Sequence, residues 1–486
     1  MSLPFLLAVS CADAPGSPEP APAAGWTRRD LVPKGEWIDR LLLRPEAPVD
    51  LVEAASVIAN STRAEWRPPE EIRQSLAPVL EKVRTRIGSH PSAEAKIAAL
   101  NELLLPHLTD PRRPVLPWIY EVFRQNLGGC VPSCLIYLLA ADALSLPLEP
   151  VIIPGHVFVQ LRTGTSVRRI ETTGKGEHLS VDQYREYLGR HPEAHEPFPD
   201  DPALAEKLFL PLSRRQFAAV LIALTAQKYP ARTSEEDFQA AVRIAPELAH
   251  PWAMFGSFCR RAGKDAEAEK MFSRAIALSP EHPIYYEMRW SLRREGGRLE
   301  ASLEDIDAAL KLVAGWADYH CDRAVSLSQL GRSQEAFQES ATAVRLRPGH
   351  SEARRFRADF FHKEDRVRDA ILEMNAIMDQ GTPEAVDYYN RGALRAQARD
   401  LPAALEDFNR SNDLDPKQAD TWRAMGACKL ELRRYVDAID DLTRSIDLAP
   451  LDARGYGFRA RAYAGLGDDA HYQADVQKFQ ALSRSR

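Results

Sequence analysis

Three residues of the kinds that carry covalent catalysis follow one another along one stretch of chain. They are Cys130 in "NLGGCVPSC", His156 in "PGHVFVQL" and Glu171 in "IETTGKG". A thiol attacks well only as the thiolate, so a nucleophilic cysteine needs a nearby base and surroundings that favour the anion. An imidazole can collect that proton, and a carboxylate on the other ring nitrogen fixes the tautomer. Such a set opens acyl transfer from an amide through a covalent thioester. Gly128 and Gly129, just before the cysteine, leave room for a substrate backbone to approach.

These residues need elements that bring them together. "VPSCLIYLLAADALSL" is apolar on most faces and meets no breaker until Pro147, which predicts a buried helix. Pro132 suits its first turn, where a missing N–H costs nothing. Cys130 then stands at the helix N-terminus, where unpaired N–H groups and the positive dipole end lower a thiol pKa. Runs 149–153, 156–162 and 167–172 read as short strands, with turns at Pro154-Gly155 and Thr163-Gly164-Thr165. His156 opens the second strand and Glu171 lies near the end of the third. In a hairpin turning at Gly164 they face each other within a residue of register. Upstream, residues 46–125 read as helices: "PVDLVEAASVIANS", "PEEIRQSLAPVLEKVRTRIG" and "SAEAKIAALNELLLPHL" keep helical spacing. Ser92 is a plausible N-cap, and Pro106 bends or ends the third helix. Helices and strands together predict a compact α+β domain over 46–212, with the lead-in at 46–125 and the cysteine helix and strands at 126–178. The blander readings are a buried small hydrophobe for Cys130 and a turn residue for His156.

The C-terminal half keeps a ruler of 34. Segments ending in proline recur at Pro246, Pro280, Pro348, Pro416 and Pro450, every gap being 34 or 68. Ala314 and Thr382 hold the two skipped places. Counting back gives eight units over 215–486, the first the least regular. Position 8 is small (Gly256, Ala324, Ala358, Gly392, Gly426, Ala460), as is position 20 (Ala268, Ala336, Ala370, Ala404, Ala438). Aromatics recur at position 4: Trp252, Tyr286, Tyr388, Trp422 and Tyr456. Position 7 is Arg289, Arg323, Arg357, Arg391 and Arg459, and sixteen residues after each comes Asp305, Glu339, Glu373, Asp407 or Asp475. Where position 7 is Phe255, its counterpart is Met271. The two positions fall mid-helix on paired helices, so ion pairs inside each unit are expected, serving register more than net stability.

The columns resemble the tetratricopeptide repeat, a helix–turn–helix unit of this length. Such arrays stack into an all-α superhelix whose concave face binds peptides or partner proteins. The motifs "GGCVPSCLIYLLAADALSLPL", "PGHVFVQL" and "IETTGKG" resemble the transglutaminase-like, papain-related cysteine enzymes. A bacterial family that carries tetratricopeptide repeats after the core fits best. "DLVEAASVIANSTRAEW" and "LFLPLSRRQFAAVLIAL" fit that family's flanks, so the likeness runs over roughly 48–224 before the repeats. The resemblance implies Cys130 as nucleophile, His156 as general base and Glu171 as third member, where the wider superfamily usually has Asp. It also implies an oxyanion donor in the Cys130 backbone N–H, with Gln125 or Asn126 as side-chain candidates. A cysteine acyl-transfer or amide-hydrolysing enzyme is thus expected. The alternative is an interaction scaffold whose transglutaminase-like domain has no turnover.

Composition narrows the rest. The formal charge is −6, from 63 basic and 69 acidic residues, with no basic block that would mark nucleic acid as the main partner. No cofactor is expected: there is no paired zinc spacing, calcium loop or nucleotide-binding glycine motif. "HPEAHEP" reads as a solvated loop. Cys259, Cys321 and Cys428 are scattered through their units as packing residues are. At the start, "LLAVSC" followed by a Pro/Ala/Gly-rich run over residues 1 to about 30 resembles a lipoprotein cleavage site with Cys11 as the lipidated residue. It lacks a preceding Lys or Arg, so a disordered cytoplasmic N-terminus is the alternative. An envelope location and an envelope-directed role hang on Cys11, and that lipid would be the chain's one tie to a membrane.

Overall fold

The structure is a computed structural model that describes residues 34–44, 46–62, 68–89, 92–109, 130–153, 155–173, 176, 178, 180–190, 197–228 and 235–484. Cys11, Gln125, Asn126, Gly128, Gly129, His191 and His195 lie outside the described residues. The chain forms two compact units, 1–314 and 315–486. Among the described residues no helix is long and apolar enough to cross a membrane.

The first unit opens with four helices, α1 (Lys34–Leu43), α2 (Leu51–Thr62), α3 (Pro69–Ile87) and α4 (Ala93–Thr109). The last three pack on α5 (Cys130–Ala143), whose residues Val131 to Ala141 are all buried. A helix apolar all round must be covered on every side, and α2, α3, α4 and the sheet supply that cover. The sheet follows as β1 (Leu148–Ile153), β2 (His156–Thr163) and β3 (Ser166–Ile170), with a short β4 (Leu210–Pro211), in the order β3-β2-β1-β4. All its pairings are antiparallel. Gly164 takes φ 61° where the β2–β3 hairpin turns, a conformation that glycine enters without a Cβ penalty.

Strand alternation divides the sheet cleanly. Val157, Val159, Leu161 and Ile170 join the core that contains α5. Phe158, with Val151 and Ile153, faces a second cluster holding Tyr184, Phe198, Leu208 and Phe209. The C-terminal end of α5 is closed by cations: Lys96 Nζ donates to Leu144 O at 2.8 Å and Arg214 Nη2 meets Asp142 at 2.5 Å. Positive charge there complements the helix dipole.

From Arg214 onward the chain is helical pairs. First helices begin at Ala249, Pro283, Ala317, Ser351, Ala385, Ala419 and Ala453, each 34 after the last. The expected arginine–acid pairs form. Separations are 2.6 Å for Arg289–Asp305, 2.7 Å for Arg323–Glu339 and Arg357–Glu373, 2.6 Å for Arg391–Asp407 and 2.8 Å for Arg459–Asp475. Where position 7 is Met425, Lys429 reaches Asp441 instead, at 2.6 Å.

Two further columns emerge only from the coordinates. The position-4 side chain donates to a proline carbonyl six residues earlier: Trp252 to Pro246, Tyr286 to Pro280, Trp422 to Pro416 and Tyr456 to Pro450. Arg354 does the same to Pro348, at 2.6 Å. Position 15 takes a positive φ in seven successive units: Gly263, Gly297, Gly331, Asp365, Arg399, Arg433 and Gly467.

Candidate active site

Cys130 is the first residue of α5 and is half-buried. Its sulfur is hydrogen-bonded to the His156 ring and faces the Val157 backbone N–H. β2 begins with His156 and Val157, so the head of the helix and the start of the strand meet at the thiol. On the far side of the ring, His156 Nε2 lies 2.6 Å from Glu171 Oε2. That leaves Nδ1 for the thiol. The other carboxylate oxygen of Glu171 accepts the Thr173 N–H at 2.8 Å and its hydroxyl at 2.5 Å. The three residues singled out in the sequence are therefore in one continuous hydrogen-bonded row.

The expected register needs correction. β3 ends with Ile170 paired to Val159, so the ladder stops before Glu171, and continuing its register would place Glu171 opposite Phe158 rather than His156. Glu171 is thus a diagonal neighbour of His156, two residues from direct opposition. Diagonal positions on one face are still within reach of long side chains. The extra methylene of Glu over Asp supplies that reach.

Electrostatics follow from the row. Burial alone would raise the Cys130 thiol, but the hydrogen bond and charge of His156 and the Val157 N–H outweigh it and hold the thiol below its usual range. Burial alone would lower His156, yet its bonds to Cys130 and Glu171 push it up to about 10. Glu171 is held low against burial by His156 and Thr173. The three shifts all run in the direction of thiolate beside imidazolium beside carboxylate. Cys134, one turn along, is fully buried with Sγ 3.4 Å from Phe158 O, and burial pushes its thiol well up. It has the packing character expected of it, as do the buried Cys259, Cys321 and Cys428.

Sequence reasoning passed over the residues that hold Glu171. Besides Thr173, a chain of bonds runs from Tyr137 OH to Asn101 Oδ1 at 2.7 Å, and from Asn101 Nδ2 to Gly176 O at 3.3 Å. Gly176 N–H in turn donates to Glu171 O at 3.1 Å. Thr173, two residues after the carboxylate in "IETTG", was open to notice as a local hydroxyl donor. Asn101 and Tyr137 were not, because α4 and α5 meet the loop only through packing. Among the described residues no group of three or more His, Cys, Asp or Glu could hold a metal ion.

Comparison with known proteins bears on the same span. Residues 70–218 match the transglutaminase-like superfamily. This is a transglutaminase-like domain followed by tetratricopeptide repeats. Among curated relatives, human tetratricopeptide repeat protein 6 is 28% identical over 120 residues, 25% of this chain and 23% of that protein. A UPF0162 protein of Xylella fastidiosa is 28% identical over 138 residues, 26% of this chain and 47% of that protein. The chain thus spans less than half the length of these relatives. Among solved structures, the C-terminal part of a repeat protein from Cytophaga hutchinsonii aligns with TM-score 0.41 and 17% identity, covering 48% of this chain and 95% of that one. YrrB, described as a TPR protein with an unusual peptide-binding site, aligns with TM-score 0.34 and 14% identity over 36% of this chain and 91% of its own.

Proposed function

We propose that the transglutaminase-like domain, taken over 46–212, is a cysteine acyl-transfer enzyme acting on an amide of a protein or peptide. Eight repeats over 215–486 engage that polypeptide or a partner. The observation that carries this reading is the His156 ring held between the Cys130 sulfur and the Glu171 carboxylate, with Nε2 2.6 Å from Oε2. In the reaction the Cys130 thiolate adds to the amide carbonyl carbon. The C–N bond breaks as the leaving nitrogen takes the proton from the His156 imidazolium, and an acyl thioester remains. Water or an amine then adds to the thioester while His156 takes its proton, releasing an acid or a new amide and restoring the thiolate. Glu171 stabilises the imidazolium and holds the ring in place throughout.

The test is selective alkylation. Iodoacetamide at near-neutral pH should label Cys130 and leave Cys134 untouched, and Cys130→Ala should lose the label. Equal labelling of the two cysteines would defeat the enzyme reading and leave a repeat-built docking protein.

A further inference from the structure

The 1–314 unit contains a cavity of about 150 Å³ beside the start of β2. Ile153 and Gly155, which lead into His156, form one side of it. The helices Ala249–Arg261 and Pro283–Glu295 of the repeats supply Met254 and Met288 on the other. Two imidazoles, His250 and His282, also line it. The His282 ring is stacked on Tyr285 at 4.2 Å, is nine-tenths buried, and its Nδ1 has no hydrogen-bond partner. Burial holds His250 neutral with a pKa of about 4, and burial together with the nearby His250 takes His282 to about 3.

Each feature points toward a ligand of defined shape. A cavity of about 150 Å³ is large enough for a benzene ring, and this one is of mixed character, with Lys207, Glu247 and Glu281 lining it beside the apolar residues. A neutral imidazole offers one donor and one acceptor, and leaving a buried one unsatisfied is costly. An aromatic ring carrying a hydroxyl would fill the space and could hydrogen-bond one of the two imidazoles that line it. A chain with one side chain lodged here would run beside Gly155, one residue from the imidazole that faces Cys130.

We propose that this cavity is a subsite for a tyrosine side chain of the polypeptide substrate, the ring against Met254 and Met288 and the hydroxyl on His282. The assignment to a substrate rests on the acyl-transfer reading, whereas the binding itself does not.

The experiment titrates the full chain with p-cresol, which is the tyrosine side chain, and with toluene, which is that of phenylalanine. Calorimetry gives affinity, and nitrogen chemical shifts of labelled histidine report on His282 without any substitution. We expect p-cresol to bind at least tenfold more tightly than toluene and to move the His282 ring-nitrogen resonances. His282→Phe should abolish that preference, and Ala253→Leu, which fills the cavity, should remove both ligands. Toluene binding as tightly as p-cresol, an unmoved His282 resonance, or p-cresol affinity unchanged in Ala253→Leu would each overturn the proposal. Cys130→Ser should bind p-cresol as the parent chain does. If p-cresol binds as expected while Cys130 shows no selective alkylation, the cavity stands as a binding site and its assignment to the Cys130 site falls. Selective alkylation without p-cresol binding overturns the cavity alone.

Discussion

Two thiols one helical turn apart have opposite protonation behaviour, and the difference comes from what each sulfur meets. Cys130 meets an imidazole and a backbone N–H, whereas Cys134 meets a carbonyl oxygen inside the core. The direction of each shift sets a pH window. A lowered Cys130 pKa means thiolate is present below the ordinary thiol value of about 8.5, and the raised His156 keeps its proton up to about 10. Alkylation of Cys130 should therefore persist below the range of a free thiol. Any turnover that protonates a leaving amine should fall as pH passes about 10. Glu171→Gln removes the charge that supports the imidazolium. Its alkaline limb should move down toward the ordinary imidazole value of about 6.5, with a loss of turnover of at least about tenfold. Alkylation rate and amidase rate against pH check both. Cys130, His156 and Glu171 were legible in the sequence because each residue type carries a distinct chemistry and each falls at an element boundary. Asn101 and Tyr137 were illegible because their bearing on Glu171 passes through Gly176, and only tertiary packing joins those segments.

At the level of the helix pair, the residues that repeat by type were readable and those that repeat by conformation were not. The arginine–acid column announced itself, since opposite charges sixteen residues apart recur in phase. Position 15 did not, because Asp365, Arg399 and Arg433 share a left-handed φ with glycines but nothing else. An L-residue there costs about 1–2 kcal/mol. Arg433→Gly should raise stability by roughly 0.5–1 kcal/mol once the greater freedom of an unfolded glycine is subtracted. Urea denaturation measures the gain. The ion pairs should behave asymmetrically. Asp475 meets Arg459 through both oxygens, at 2.8 and 2.9 Å. Asp475→Met alone leaves a largely buried guanidinium without its partner and should cost about 3 kcal/mol, while adding Arg459→Phe should bring the loss back within about 1 kcal/mol. The chain already contains that apolar solution, as Phe255 and Met271 in the same two columns. A single-mutant and double-mutant denaturation series reads the difference.

Across the whole molecule, the two units build their cores differently. In the 1–314 unit one large cluster runs from Trp37 to Leu292. In the 315–486 unit the apolar residues gather into small separate groups, such as Ala404 with Phe408 and Leu430 with Leu442. Stability in such a series is a sum of local and neighbour terms, so a lesion should stay local. A Cβ at Gly426 would come 2.5 Å from Leu442 Cγ. Gly426→Ala should therefore cost about 1–3 kcal/mol in the 315–486 transition while Cys130 alkylation keeps its rate. A changed alkylation rate would contradict that independence. The joints between pairs carry one more lesson. An indole, a phenol and the guanidinium of Arg354 all donate a hydrogen bond to the carbonyl at the same place. A search template asking for rings there would pass over the unit that opens at Ser351. One that asks only for a hydrogen able to span six residues back would count it.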